Sequence, residues 1–207
     1  MNTGALLDLR LHTPRLELRL PSDEELEQLR DVALGGIHPP EEMPFAVAWT
    51  DEPGLHGFVD YHRSSLRDWR PDAWNLELAV VTEGALAGVQ GATAKDFAHT
   101  RAVLTGSWLG KDFQRRGYGT EMRAAILELA FTGLGAEVAR SGAIAGNAAS
   151  ARVSEKLGYR IIGESTVSPR GEPLPHTDLE LRREDWHPLV PVEIENLEPA
   201  LPLFGIG

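Results

Sequence analysis

Residues 101–158 constrain the chain most, because a strand-like run, a glycine-bearing turn, a helix, a second strand and a second helix follow one another with clear stops between them. Residues 101–109 read as the first strand. After Gly117-Tyr118-Gly119, apolar side chains at Met122, Ala125, Ile126, Leu129 and Ala130 recur at the i, i+3, i+4, i+7, i+8 spacing of an amphipathic helix. That helix should run to about residue 132, with Gly133 and Gly135 ending it. Residues 138–145 form a short strand pattern, Asn147 suits the N-cap of a helix over residues 148–157, and Gly158 falls just past its last turn. The order is that of an α/β domain.

The flanking sequence extends this unit. Residues 13–20 alternate apolar and polar as a half-buried strand does, and Pro21-Ser22-Asp23 opens a helix lined by Leu26, Leu29 and Ala33. Gly35-Gly36 and a Pro-rich stretch over residues 39–53 predict a loop, followed by a helix from about 55 to 67. Residues 74–82 and 85–95, separated by Glu83-Gly84, predict a tight hairpin, and residues 159–167 and 177–181 predict two closing strands. We divide the chain into an N-terminal arm (1–12), one domain (13–187) and an irregular tail (188–207) whose apolar end, Leu201-Pro202-Leu203-Phe204, is expected to pack on a partner copy. At roughly 150 residues per domain, 207 residues favour one domain with appendages.

Composition narrows the function. The apolar share of 42% and charged share of 25% suit a chain with a sizeable core. No run of ~18 apolar residues occurs and the N-terminus lacks a basic, then apolar, leader, so a cytoplasmic location is expected. The absence of cysteine excludes disulfides, thiolate metal sites and a cysteine nucleophile. A net charge of −11 argues against nucleic-acid and anionic-membrane surfaces, which need a basic footprint. Against that background, residues 110–123 carry Lys111, Arg115, Arg116 and Arg123 beside Asp112 and Glu121, a local excess of positive charge suited to an anion.

That excess coincides with Gln114-Arg115-Arg116-Gly117-Tyr118-Gly119-Thr120, at the point where a strand hands over to a helix. A helix N-terminus presents unpaired N–H groups and the positive end of its dipole, and glycines let a phosphate approach. The spacing fits neither G-x-x-x-x-G-K-[ST] nor G-x-G-x-x-G, so a different phosphate-bearing ligand is indicated. Q-R-R-G-Y-G resembles the Q/R-x-x-G-x-G/A motif of the GCN5-related N-acetyltransferases, and N-A-A-S-A-R-V-S-E-K-L-G-Y resembles their next motif, in family order and spacing. The opening T-P-R-L-E-L-R, and S-W-L-G before the glycines, look like the branch acting on ribosomal-protein N-termini and its small-molecule relatives. The resemblance spans residues 13–186.

The resemblance implies a mixed, mostly antiparallel central sheet of about six or seven strands flanked by about four helices, in which strands 101–109 and 138–145 run parallel and splay apart to admit an acyl-CoA. It implies that backbone groups of Ser107, Trp108 and Leu109 meet the pantetheine arm. Gln114 belongs to the motif, and the amides of Arg115, Arg116, Gly117, Tyr118, Gly119 and Thr120 would hold the pyrophosphate. Asn147 would meet the pantetheine, with Ser150 and Ser154 sharing its helical face. Many relatives place a tyrosine seven residues after this asparagine as the acid for the departing thiolate; here Ser154 stands there and is the candidate hydrogen-bond donor to sulfur. Many also carry a glutamate base where this chain has Leu104. Candidate bases are therefore Glu77, His99, His176 and Asp178, with His176 and Asp178 on the closing strand.

The reading is an acyl-CoA-dependent N-acyltransferase without a metal, acting by direct attack in a ternary complex on an amine of a protein N-terminus or a small molecule. Acetyl-CoA is the default donor and succinyl-CoA the alternative, the latter needing a cation from Arg63, Arg67, Arg70 or His176. A noncatalytic acyl-CoA-binding module of the same fold is the competing class. Trp49, in the Pro-rich loop, is either core or the floor of an acceptor pocket, and residues 35–53 and 169–175 are the expected acceptor loops.

Overall fold

A computed structural model describes residues 3–206; Met1, Asn2 and Gly207, at the ends of the predicted arm and tail, lie outside the described residues. The chain builds one sheet of nine strands: β1 (Arg10–His12), β2 (Glu17–Arg19), β3 (Ala73–Thr82), β4 (Ala85–Lys95), β5 (Ala102–Leu109), β6 (Val138–Ile144), β7 (Arg160–Val167), β8 (Leu174–Arg182) and β9 (Glu193–Glu195). Their order is β7-β8-β6-β5-β4-β3-β2-β1-β9, and every pairing is antiparallel except β5 with β6. The helices are α1 (Gly4–Asp8), α2 (Asp23–Leu34), α3 (Phe58–Arg67), α4 (Phe97–Thr100), α5 (Tyr118–Glu128) and α6 (Ala148–Lys156).

Local chemistry accounts for these elements. At the start of α2, the Ser22 hydroxyl accepts from the Glu25 amide while the Glu25 carboxylate accepts from the Ser22 amide, so two otherwise orphan donors are satisfied. Arg19 on β2 forks onto the same carboxylate and holds it down to about 2, tying α2 to the sheet. The β3–β4 hairpin turns on Glu83 (φ 50°) and Gly84 (φ 78°), two left-handed residues whose twist matches the flanking strands. Helix α5 crosses from β5 to β6 and is buried almost all round, ending in a widened turn over Leu129–Gly133.

Two apolar layers cover the sheet. One face carries the main core, in which Leu18, Leu76, Leu78, Phe97, Ile126, Leu127 and Phe131 are fully enclosed. The other packs Leu26 and Leu29 of α2 and Phe58 and Val59 of α3 on Ala79, Val89 and Trp108.

The chain ends depart from expectation. The N-terminal segment is no loose arm, since Leu6, Leu9 and Leu11 are fully buried and β1 pairs with β2 and β9. The tail predicted to be irregular supplies β9 and a 3-10 helix over Glu198–Phe204. Phe204 lies edge-on to Trp69 and Trp74, and the Trp69 indole donates to the Leu203 carbonyl at 2.8 Å. Leu203 and Phe204 are buried inside the domain. Nine strands replace the expected six or seven because each end adds one strand, β1 beside β2 and β9 at the edge. Phe204→Ala should therefore lower unfolding free energy by about 3–5 kcal/mol in urea titrations; a loss below about 1 kcal/mol would place the tail outside the cooperative core.

Candidate active site

The parallel pairing of β5 with β6 covers only Ala102 with Val138, Val103 with Ala139 and Leu104 with Arg140. Beyond this the strands diverge, β5 running on to Leu109 and β6 to Ile144. Side chains finish the fork: Thr105 Oγ1 donates to the Arg140 carbonyl at 3.2 Å and Ser141 Oγ to the Thr105 carbonyl at 3.4 Å. Arg123, buried on α5, bridges the two strands by donating to Ser141 Oγ at 3.0 Å and Ser107 Oγ at 3.1 Å. No carboxylate among the described residues pairs with it, and its Nε has no acceptor. The Tyr159 hydroxyl reaches the same fork, 3.3 Å from Thr105 Oγ1. Sequence reasoning counted Arg123 toward the positive stretch and quoted Tyr159 as the last residue of a motif, but placed neither in the fork, because a lone arginine in an apolar helix and a tyrosine after a glycine carry no spacing signal.

The glycine turn stands at the open end of the fork. Arg115 (φ 59°) and Gly117 (φ 86°) are left-handed, which curls successive N–H groups toward one side. Among the described residues, no acceptor meets the backbone N–H groups of residues 115–119. Arg115 and Arg116 are exposed, and no carboxylate among the described residues engages either. This is a concentration of unspent donors and positive charge. Gln114 plays another part: its amide donates to the Leu109 carbonyl at 2.8 Å and the Ile37 carbonyl at 2.7 Å, pinning the turn to the end of β5.

The turn is braced from the N-terminal strand. Glu121, buried in the first turn of α5, accepts from the Thr13 hydroxyl at 2.7 Å, the Arg15 amide at 3.0 Å and Arg15 Nε at 2.7 Å. Arg15 also donates to the Arg116 carbonyl at 2.9 Å and stacks over the Tyr118 ring. The T-P-R opening is thus a clamp on the glycine turn.

Alternation distributes the predicted pantetheine residues over both faces. Ser107 turns its hydroxyl to Arg123, Leu109 enters the main core and Trp108 the smaller one. On α6, Asn147 Oδ1 accepts from the Ser150 amide at 3.0 Å as the predicted cap, which leaves its Nδ2 to donate elsewhere. Ser154 is 1% exposed and its hydroxyl has no partner.

The α2/α3 face lies across the fork from Arg123. There Trp49 packs on Phe45, Phe58 and Trp108 with ring centroids 5.2, 5.9 and 5.8 Å apart. The two expected acceptor loops meet above it, Arg170 forking onto Asp51 through two 2.7 Å bonds. His176 lies against Gly142 of β6, where a β-carbon would collide with it, and its Nδ1 is 3.0 Å from Asp178 Oδ1, while Ser165 Oγ bonds Asp178 at 3.0 Å. These two candidate bases therefore touch each other, on the β6 side of the fork. Glu77 stands on the opposite wall, on β3, where burial pushes its carboxyl up to about 7. His99 does not join them; it is exposed on α4, at the start of β5 and far along the strand from the glycine turn, and pairs with Asp96. Arg63, Arg67 and Arg70 are each spent on a surface carboxylate, Asp23, Asp68 and Asp72.

Comparison with known proteins agrees with this geometry. Similar solved structures include Mycobacterium smegmatis RimJ in complex with CoA-disulfide, at 17% identity over 87% of this chain and 90% of that one, TM-score 0.68. Ribosomal-protein-S5-alanine acetyltransferase from Vibrio fischeri matches at 16% identity over 86% and 99%, TM-score 0.62. The microcin C7 self-immunity acetyltransferase MccE, in complex with acetyl-CoA and AMP, matches at 15% identity over 82% and 93%, TM-score 0.64. The family model for the acetyltransferase (GNAT) domain matches residues 15–160, which takes in the Arg15 clamp, the fork, the glycine turn and α6, and the chain belongs to that family.

Proposed function

We propose that the protein transfers an acetyl group from acetyl-CoA to an amine by direct attack within a ternary complex. The observation that carries this reading is the run of five N–H groups without acceptors at residues 115–119, flanked by two unpaired arginines, at the open end of the β5–β6 fork. Such a turn suits a pyrophosphate, and the fork suits the pantetheine arm, which can pair with backbone that β6 leaves uncovered. Backbone around Ser107, Trp108 and Leu109 would hold that arm with Asn147 Nδ2. A backbone amide near Trp108 or Leu109 would stabilise the thioester oxygen as negative charge develops on it.

Ser154 is suited to assist departure of sulfur. A buried hydroxyl without a partner is costly unless a ligand completes it, and a hydrogen bond to a thiolate is what a serine can supply. The absence of cysteine leaves no residue for a thioester relay, which favours direct attack. A succinyl donor needs a cation for its distal carboxylate, and the pairing of Arg63, Arg67 and Arg70 with aspartates favours acetyl. The acceptor is an amine of a protein N-terminus or a small molecule; the Vibrio fischeri neighbour is named for an alanine of a ribosomal protein.

Arg115→Glu together with Arg116→Glu should weaken acetyl-CoA binding by about 10- to 100-fold in calorimetry without loss of fold, since both side chains are exposed and charge-assisted contacts to phosphate are strong. Unchanged affinity would remove the glycine turn as the pyrophosphate site. Ser154→Ala should cut turnover by about tenfold while leaving acetyl-CoA affinity within about threefold, the pattern of an interaction made in the transition state. Equal turnover would make Ser154 a packing residue. Acyl-CoA bound without CoA release for any amine would identify a binding module instead of an enzyme.

A further inference from the structure

Three strands present a gap on the α2/α3 face. Glu77 on β3 stands opposite Gly91 on β4, and Gly91 opposite Gly106 on β5, so one row across the sheet reads Glu-Gly-Gly. The rows on either side carry side chains: Ala79, Val89 and Trp108 on one, Asn75, Thr93 and Leu104 on the other. At ~3.3 Å per residue the flanking rows are about 13 Å apart along each strand, so the glycines floor a slot running across the strands.

The Glu77 side chain lies down in that slot. A β-carbon on Gly91 would come within 2.8 Å of Glu77 Oε2, whereas one on Gly106 would meet nothing within 4 Å. The carboxylate therefore leans over β4 toward β5, and the next place in the row is open. Strands are ~4.8 Å apart, which puts the carboxylate about one strand spacing from β5, whose far edge at this level is released by β6. That distance suits one amine, or an amine and one water, between Glu77 and an acyl group in the fork.

A directional network holds the carboxylate. Thr93 Oγ1 donates to Asn75 Oδ1 at 2.8 Å, which orients the Asn75 amide to donate to the Tyr61 hydroxyl at 3.0 Å. Tyr61, already an acceptor, donates its proton to Glu77 Oε1 at 3.1 Å. Tyr61 and the Asn75 side chain both steady the carboxyl, Oε2 lies on the Gly91 side, and no cation pairs with Glu77 among the described residues. Behind it, a cavity of about 60 Å³ between α2, α3 and β3 is lined by Asp23, His62, Asn75 and Glu77, and the buried His62 Nε2 has no partner there. Asp23 and Arg63, which also line it, pair with each other, so the charge left to meet an ammonium ion is that of Glu77.

We propose that the acceptor amine reaches the thioester along this glycine-floored slot and that Glu77 takes its proton, which restricts the acceptor to a primary amine on a slender chain. The inference rests on the transferase reading above. One proton of the ammonium passes to Glu77 Oε2. The nitrogen pair then forms the N–C bond, the C–S bond breaks with its electrons on sulfur, and the second amine proton ends on that sulfur to give amide and free CoA. Glu77 returns its proton to solvent. A carboxyl held near 7 is matched to this exchange at neutral pH. His176 with Asp178, on the opposite wall, is the competing base.

The test follows CoA release from acetyl-CoA with two probes at high concentration: hydroxylamine, already neutral at pH 7, and ethanolamine, an ammonium ion at that pH. Glu77→Gln should lower ethanolamine turnover by about 100-fold or more and hydroxylamine turnover by less than about threefold, with acetyl-CoA affinity unchanged. It should also remove the ethanolamine kcat/KM plateau above about pH 7, the acid limb moving up to the amine's own pKa because only free amine then reacts, a limb set against neighbours Tyr61, His62 and Arg63 of α3 and Asp23 of α2. Gly106→Val, whose β-carbon would meet nothing within 4 Å and whose methyls would fill the slot, should depress ethanolamine turnover at least about tenfold and leave acetyl-CoA affinity within about threefold. Equal losses with both amines, no loss, or the selective loss appearing in His176→Gln instead overturns the assignment. If the wild-type protein releases CoA above the enzyme-free rate with neither of these amines nor any other primary amine, the transferase reading itself fails.

Stability supplies a readout independent of turnover. The folded carboxyl holds its proton up to about 7 against 4.5 in the unfolded chain, so its ionisation in the fold lowers stability as pH rises through that window and the full penalty is present above it. Glu77→Gln should raise the Tm at pH 8 more than at pH 5, and an equal effect at both pH values would show that the carboxyl is not held in this state.

Discussion

The structure depends on a sheet that comes apart on purpose. Three residue pairs of parallel ladder bind β5 to β6, and after Leu104 and Arg140 the backbone groups of both strands lose each other as partners. Unpaired backbone in an interior is expensive unless something meets it. Thr105 and Ser141 cover the first step, and the Arg123 guanidinium spans the next between Ser107 and Ser141. The rest is left for a ligand with amides and carbonyls of its own, which is what a pantetheine arm offers. Arg123 carries a buried charge with no carboxylate, so the fork is electrically positive in a protein of net charge −11.

The glycine turn repeats this logic at the surface. It needs Arg115 and Gly117 in left-handed backbone with five donors unspent, and such a turn does not hold itself. Glu121 does much of the holding, through donors contributed by residues far away in the chain, Thr13 and Arg15. Arg15 then reaches the Arg116 carbonyl and the Tyr118 ring, so the strand that opens the domain is mechanically part of the anion site. Gln114 closes the other side by binding the carbonyls of Leu109 and Ile37.

Much of this was legible in the sequence where the signal is local. The Asn147 cap, the Glu83-Gly84 turn, the α5 stripe and the parallel pair follow from periodicity, punctuation and family resemblance. What escaped was set by distant partners. Residues 188–207 look irregular because prolines interrupt any period, yet Leu203 and Phe204 find Trp69 and Trp74 and become core. Arg123 looks like a polar residue on an apolar helix until the fork places two serines beside it. Glu77 could be named as a carboxylate on a strand, but its surroundings arise only when register sets Gly91 and Gly106 in line with it, an alignment across three strands that no single stretch of sequence encodes.

The central claim is that acyl-CoA occupies the fork with its pyrophosphate at the glycine turn, and hydrogen–deuterium exchange reads this directly. Saturating acetyl-CoA should slow exchange in peptides spanning residues 105–120 and 144–154 while leaving those of β1, β2 and β9 unchanged, because only the former carry backbone donors without protein partners that the ligand would meet. Tight binding of acetyl-CoA with no slowing at residues 105–120, or with protection elsewhere on the sheet, would contradict the account.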